Sequence, residues 1–201
     1  MKIKFFAAIA AIMISASAIA QLKDGKYIVD YKTSSITWTA SKVTGNGHTG
    51  SVRVSSGNVV VAKNNITTGK LNVDVNALAV TDLPAGEMNS NLVNHLKSPD
   101  FFDTAAHPDA KFEITSVKAA KDNAGHTHIV TGKLTIKGIT QDVSFPATVA
   151  GSSDSVTIKG TLTFDRSKFD VRYGSTAFFS DLGDKAISND IKLEFNLNAK
   201  I

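Results

Sequence analysis

The sequence contains no cysteine, so disulfide bonds, thiolate metal sites and a cysteine nucleophile are all excluded. It has only four prolines and no Pro-rich or Gly-rich linker, so nothing indicates a boundary between domains. The formal net charge is only +4 over 201 residues, and Lys and Arg never occur next to each other. Because a basic patch or tract is missing, we expect no nucleic-acid partner.

Motifs of catalysis and metal binding are missing as well. There is no Gly-x-Ser-x-Gly elbow and no His-Glu-x-x-His zinc motif. His126 and His128 share one face of a predicted strand and are a conceivable metal site, but they adjoin a turn signal, which favours an exposed hairpin. Asp181, Asp184 and Asp190 lack the spacing of an EF-hand loop, which favours a surface loop. We therefore predict no catalytic residue, no metal, no cofactor and no enzymatic activity.

The first 20 residues have the three parts of a secretory signal. Basic MKIK is followed by apolar FFAAIAAIMI and then by ASAIA, in which Ala18 and Ala20 supply the small side chains of a cleavage site. The apolar run is about 10 to 15 residues long, shorter than the roughly 20 that span a bilayer as a helix. We expect cleavage of residues 1–20 and no stable membrane insertion of residues 21–201, which we interpret as a single domain.

Beyond the signal, apolar and polar residues alternate along most of the chain. In residues 191–198 the odd positions are Ile, Leu, Phe and Leu, and the even positions are Lys, Glu, Asn and Asn. A period of two is typical of strands with one buried face, and hence of an antiparallel sheet. Only residues 87–97 are typical of a helix, and Pro99 limits it. Many short strands with one helix predict an all-β fold, either a sandwich or a closed barrel.

Three segments, by their order and their separations along the chain, carry a resemblance to a known family. They are HLKSPDFFDTAAHPDAKF at 95–112, GKLTIKGIT at 132–140 and FDRSKF at 164–169. From about Tyr27 onward the chain resembles the YceI-like family of secreted bacterial proteins that bind polyisoprenoids and related lipids. The resemblance implies a lipocalin-like, eight-stranded antiparallel β-barrel with one short helix, and a periplasmic location. One departure is Asp170, where the family usually shows Gly.

An eight-stranded barrel has an interior just wide enough to be filled by side chains or to hold one small ligand. Burial of each methylene of an apolar ligand is worth about 0.8 kcal/mol, so a long chain needs no charged partner. The adjacent pairs Phe101-Phe102 and Phe178-Phe179 suit loops that cap an opening, because neighbours in a strand face opposite sides. For each candidate, core packing remains an alternative to ligand contact. The apolar candidates for the lining are Trp38, Phe101, Phe102, Phe112, Leu134, Ile136, Phe164, Phe169, Phe178 and Phe179.

Two polar residues are candidates for contact with a ligand head group. Arg166 either pins the end of a strand, together with Asp165, or meets a phosphate or carbonyl oxygen at the mouth of the barrel. His95, at the end of the predicted helix, either caps backbone carbonyls or hydrogen-bonds a head group. In both cases the structural role is favoured, and Arg166 is kept among the ligand-binding candidates.

The sequence thus predicts a periplasmic carrier that holds a long apolar ligand, an isoprenoid or fatty-acid derivative, inside a β-barrel. Two other classes remain open, a secreted enzyme that acts on a lipid-like substrate and a β-sandwich interaction module without a cavity. An apolar cavity favours the carrier, whereas converging titratable groups with perturbed pKa values favour the enzyme. Whether the chain forms a homodimer is left open.

Overall fold

A computed structural model describes residues 22–201, so the predicted signal of residues 1–20 and its cleavage site lie outside the described residues. The described chain is built of nine strands and one α-helix. In chain order these elements are β1 (Gly25–Val29), β2 (Ser35–Ser41), β3 (Gly47–Ala62), β4 (Asn65–Val80), α1 (Glu87–Lys97), β5 (Asp109–Ala119), β6 (His128–Ile136), β7 (Ile139–Gly151), β8 (Ser155–Asp165) and β9 (Asp190–Lys200).

The strands form one antiparallel sheet that closes on itself. From β4 to β9, each strand pairs with the next one in sequence. The strand β2 lies between β9 and β3. The closing contact is the pairing of β3 with β4, and it has three register shifts that bend the sheet. The short β1 also pairs with both β3 and β9, so β1 and β2 together occupy one place in the barrel. The prediction of an eight-stranded, lipocalin-like barrel with one helix is confirmed.

The alternation of the sequence decides which side chains face inward. Along β9 the apolar residues Ile191, Leu193, Phe195 and Leu197 face the interior, and the intervening Lys and Glu are exposed. Turn residues fix the connections in the same local way. Between β6 and β7 the chain reverses at Lys137-Gly138 with φ of 50° and 74°, the left-handed pair of a two-residue hairpin turn.

The helix α1 covers part of the barrel at the end where β4 terminates. Its bounds match the predicted residues 87–97, and it ends where Ser98 turns to extended backbone and donates its N–H to the carbonyl of His95. Leu92, Val93 and Leu96 face a small cluster that contains Trp38. We call the end of the barrel that α1 covers the α1 end. None of the described helices is both long and apolar enough to cross a membrane.

Candidate ligand-binding cavity

The interior of the barrel holds a cavity of about 190 Å³. A single water molecule needs roughly 10 to 15 Å³ measured in the same way, so the cavity is more than ten times that size. Its wall is formed by inward side chains from all nine strands, mostly Val, Ile, Leu and Phe, and by Leu96 of α1. The inward row therefore encloses space as well as packing a core.

Most of the predicted ligand-binding residues lie on this wall. Phe101 and Phe102 reach it from the connection after α1, Arg166 reaches it from the short helical turn after β8, and the remaining ones come from the strands. The ring of Phe112 lies 5.6 Å from that of Phe145, which extends an aromatic row along one side of the cavity. The predicted residues that line the cavity are Trp38, Phe101, Phe102, Phe112, Leu134, Ile136, Phe164 and Arg166.

Three predicted residues are not brought to the cavity wall. Phe169 is only 1% exposed but lies behind Phe164, with the two rings packed edge to face at 5.5 Å. Phe178 and Phe179 lie in a turn after β8, as expected for a Phe pair, yet they are 39% and 49% exposed. The guanidinium of Arg172 lies 5.1 Å from the ring of Phe178. The structure places this pair on the surface, where it does not cap the cavity.

Arg166 pins the long connection between β8 and β9. Its side chain is 1% exposed, and four hydrogen bonds run from it to backbone carbonyls. Nε donates to Ser188 (3.0 Å), Nη1 donates to Val171 (3.0 Å) and Tyr173 (2.9 Å), and Nη2 donates to Ile187 (3.2 Å). These carbonyls belong to both ends of the connection, so one side chain holds the two ends together.

The charge of Arg166 is unusually placed. Burial lowers the pKa of its guanidinium, and the nearby Asp165 carboxylate opposes that shift. Arginine nevertheless stays protonated in proteins. Among residues 22–201, no carboxylate lies within salt-bridge distance of it; the Asp165 carboxylate instead accepts from the N–H (2.9 Å) and hydroxyl (2.6 Å) of Ser167. A full positive charge therefore lies at the edge of an apolar cavity with carbonyl dipoles as its partners.

Asp170, the residue at which the chain departs from the family pattern, has a defined role in the same region. It adopts the left-handed conformation with φ of 57°, which glycine takes freely and aspartate tolerates. Its N–H closes the short helical turn of residues 166–169, and its carboxylate pairs with Arg172. The departure from Gly therefore preserves the turn.

His95 and His126 pair with neighbouring carboxylates. His95 lies 3.3 Å from the Asp100 carboxylate and packs edge-on against Phe101 and Tyr173. Within residues 22–201 its ring makes no hydrogen bond to a backbone carbonyl. His126 pairs with Asp122 at 2.6 Å, and this hydrogen bond lowers the pKa of the Asp122 carboxyl.

His128 makes a different contact, with the hydroxyl of Thr127 at 2.7 Å, and its burial lowers its pKa. Within residues 22–201, no cluster of three or more His, Asp or Glu side chains is arranged to hold a metal ion.

Sequence reasoning missed two features of the site. The alternation predicts an inward face formed by Ile191, Leu193, Phe195 and Leu197, and all four residues form part of the cavity wall, although they are not among the predicted ligand-binding residues. The alternation itself could have identified them. The second feature is the indole N–H of Trp38, which is buried without an acceptor in the described chain, and no sequence signal indicates it.

Comparison with known families and structures places this architecture among relatives. Residues 27–199 match the model of the YceI-like domain. A UPF0312 protein of Pseudomonas putida is 49% identical over 57 residues, which are 28% of this chain and 28% of that protein. The matched region therefore covers less than a third of the length of this curated relative.

Two solved structures share the fold. Burkholderia cenocepacia BcnA superposes with a TM-score of 0.66 at 24% identity, covering 86% of this chain and 99% of that one. A polyisoprenoid-binding domain from Saccharophagus degradans, implicated in plant cell wall breakdown, superposes with a TM-score of 0.63 at 16% identity, covering 87% and 97%. At these identities the likeness concerns the fold alone.

Proposed function

The chain belongs to the YceI-like domain family, and from this premise we propose that it binds a long apolar ligand, an isoprenoid or fatty-acid derivative, inside its barrel and carries it through aqueous space. The Saccharophagus degradans domain with the same fold is described as polyisoprenoid-binding, which supports this choice of ligand class. The observation that carries the proposal is the 190 Å³ apolar cavity enclosed by the barrel.

The energetics of such a cavity favour an aliphatic chain. Ten buried methylenes contribute a gross free energy of roughly 8 kcal/mol at about 0.8 kcal/mol each. Loss of the ligand's translational and conformational freedom takes back several kcal/mol. The surplus supports useful affinity without a charged contact. We assign the contacts with the chain to the apolar wall, in particular to Phe101, Phe102, Phe112, Leu134 and Phe164.

The composition of the wall favours binding over catalysis. Among the described residues that line the cavity there is no Asp, Glu, His, Ser, Thr or Tyr. The polar residues of the lining are Asn58, Lys70, Lys111 and Arg166, and the side chain of Lys70 is exposed and pairs with Glu113 at 2.9 Å. Hydrolysis or group transfer needs a nucleophile or general base within reach of the substrate. Such a wall suits a carrier.

We assign the carrier to the periplasm. Support comes from the three-part signal in residues 1–20 and from the secreted character of the family that the chain resembles. Intact-mass measurement of the exported protein should show a chain that begins at Gln21. Retention of residues 1–20 would contradict the predicted cleavage, and absence of the protein from the periplasmic fraction would contradict the assigned location.

The ligand class is tested first by extraction. Organic extraction of protein purified from its native host, followed by mass spectrometry, should recover a molecule with a long apolar chain. The affinity of a homologous ligand series should then rise with chain length, by up to about 0.8 kcal/mol or roughly fourfold in Kd per methylene, until the cavity is full. Affinity that does not depend on chain length would exclude binding in the cavity.

A matched pair of variants locates the binding site. Phe102→Ala removes a ring from the wall, and Phe178→Ala removes a ring of equal size from the surface. We expect Phe102→Ala to weaken the binding of long chains more than that of short ones, because only a long chain reaches every part of the wall. Phe178→Ala should leave the whole series unchanged. Equal effects of the two variants would place the ligand elsewhere.

A further inference from the structure

Exposed apolar side chains are concentrated at one end of the barrel. Among residues 22–201, eight large hydrophobic side chains are exposed, and five of them lie in connections at the α1 end: Val43, Met88, Tyr173, Phe178 and Phe179. A single exposed apolar residue is normal on a protein surface, but several of them in one region commonly mark an interaction site. The α1 end therefore has the composition of a docking surface.

Three of these side chains are aromatic and belong to the connection between β8 and β9. Tyr173 is 46% exposed, similar to Phe178 and Phe179, and we call these three residues the aromatic patch. Ser175, between them in sequence, is fully buried, and its carbonyl accepts the N–H groups of Phe178 and Phe179 at 3.1 Å each. Its hydroxyl donates to the side chain of Asn189 at 2.7 Å. The backbone is thus anchored, so the fold itself sets the exposure of the rings.

The aromatic patch is continuous with the wall of the cavity. Phe101 lines the cavity, and its ring lies 5.1 Å from the ring of Tyr173. At the outer side of the patch, the guanidinium of Arg172 lies 5.1 Å from the ring of Phe178. Tyrosine and arginine combine an apolar body with a polar tip, which suits a boundary between lipid and water. An apolar path therefore leads from the cavity to the surface at this end.

The two ends of the barrel are closed in different ways. At the end opposite α1, Tyr27 is fully buried, and its hydroxyl lies 2.9 Å from the carbonyl oxygen of Lys23 and 3.2 Å from that of Ser153. At the α1 end the pairing of β4 with β5 stops at Asp74, and β4 continues to Val80 with α1 packed against it. All eleven residues of α1 are at least partly exposed. Because few buried contacts hold α1, we expect the ligand to enter and leave at this end.

The charge of the α1 end indicates how it would bind. Its connections carry seven Lys and Arg residues and seven Asp and Glu residues, so their formal net charge is zero. A neutral face is not drawn to anionic lipids, unlike the basic segments that bind them. Any attachment to a bilayer must therefore come from burial of apolar side chains. The connections are residues 42–46, 81–108, 137–138 and 166–189.

We propose that the protein docks reversibly on a lipid bilayer through the aromatic patch, with the α1 end facing the membrane, and exchanges its ligand with the bilayer in this position. This rests on the proposed function. A long apolar chain is concentrated in membranes because water excludes it, so a docked carrier takes it up without releasing it into water. Continuity of the patch with the cavity wall favours a bilayer over a protein partner, because it joins the two places where the chain is soluble.

The test is flotation of the exported protein with phosphatidylcholine vesicles, after intact mass has confirmed that residues 1–20 are absent. We expect the protein to float with the vesicles. The double variant Phe178→Ser, Phe179→Ser should bind roughly tenfold more weakly or less, because two half-exposed rings no longer enter the bilayer. The matched control is Tyr31→Ser: Tyr31 is 53% exposed but lies in the turn between β1 and β2, so its loss should have no effect. Added phosphatidylglycerol or salt should change the binding little.

Three results would refute the docking. They are equal flotation of the double variant and the unaltered protein, binding that requires anionic lipid, and a dimer that the double variant breaks, which would assign the patch to a second copy. If the double variant does not fold, hydrogen exchange of the unaltered protein decides. Vesicles should then slow the exchange of amides in residues 172–182, and protection confined to other residues would overturn the proposal.

The proposed function is judged separately, by the titration of the ligand series in solution. If the series binds but the protein does not float, the cavity stands as the binding site and the docking fails. If the series does not bind, the proposed function fails, and ligand exchange at the bilayer fails with it.

Discussion

The role of Arg166 can be tested by removing its hydrogen bonds while its volume is kept. Arg166→Met retains a long side chain and deletes every donor. Four backbone carbonyl groups, on both ends of the connection between β8 and β9, then lose their charged partner. If Arg166 pins this connection, the ligand-free protein should lose stability.

The expected loss can be worked out from these contacts. A hydrogen bond with a charged partner contributes about 1.5 to 3 kcal/mol. Against this, methionine avoids the cost of keeping a charge out of water, which is several kcal/mol. Four such bonds amount to roughly 6 to 12 kcal/mol, so after this offset we expect a net decrease of about 3 to 5 kcal/mol in the free energy of unfolding. Typical domains have about 5 to 15 kcal/mol in total, so the effect is large.

Urea unfolding of the ligand-free protein measures this loss. Arg53→Met is the matched control, because Arg53 is exposed and makes a surface ion pair with Asp74, which is worth at most about 1 kcal/mol. Arg166→Lys is the sharper variant: it keeps the charge, but a single ammonium group cannot reach four separate carbonyls. We expect it to cost at least as much as Arg166→Met. Full stability of the lysine variant would refute the pinning role.

Three further predictions concern other parts of the barrel. Gly50→Ala should lower stability by about 1 to 3 kcal/mol and change the fluorescence of Trp38, because the new Cβ overlaps the backbone carbonyl oxygen of Ala79 and the ring of Trp38. Burial lowers the pKa of His128 below its ordinary 6.5, so the unfolded chain binds a proton more readily. The stability that the neutral imidazole provides should be complete above pH 6.5 and should decrease as the pH falls below it; unfolding measured from pH 7.5 to 5 should show a shallower dependence in His128→Gln. Phe195→Ala, on the inward face of β9, should cost about 3 kcal/mol, whereas Lys192→Ala on the outer face should cost under about 0.5 kcal/mol, and equal losses in urea would mean that the faces are reversed.

Local features were predictable because they depend on residues close in sequence. The period of two indicated the strands and their inward faces, as in β9. The helix bounds followed from the break at Pro99 and agree with α1, and Lys137-Gly138 marked a hairpin turn. That the strands form a barrel was not available from alternation, which suits a sandwich equally well. It came from the resemblance to a family.

The sequence by itself thus determined which residues form strands, which face each side chain takes and that the interior is apolar. Only the tertiary structure decided that the inward row encloses a cavity, since this depends on the pairing of β3 with β4 and on the volume that the closed sheet leaves empty. The tertiary structure also decided that Phe178 and Phe179 lie on the surface. It set the carbonyl partners of Arg166, which include residues more than twenty positions away. The burial of the Trp38 indole N–H likewise depends on packing between β3, β4 and α1. A residue's neighbours in sequence set its conformation, but what lies across from its side chain is set by strands that meet only when the barrel closes.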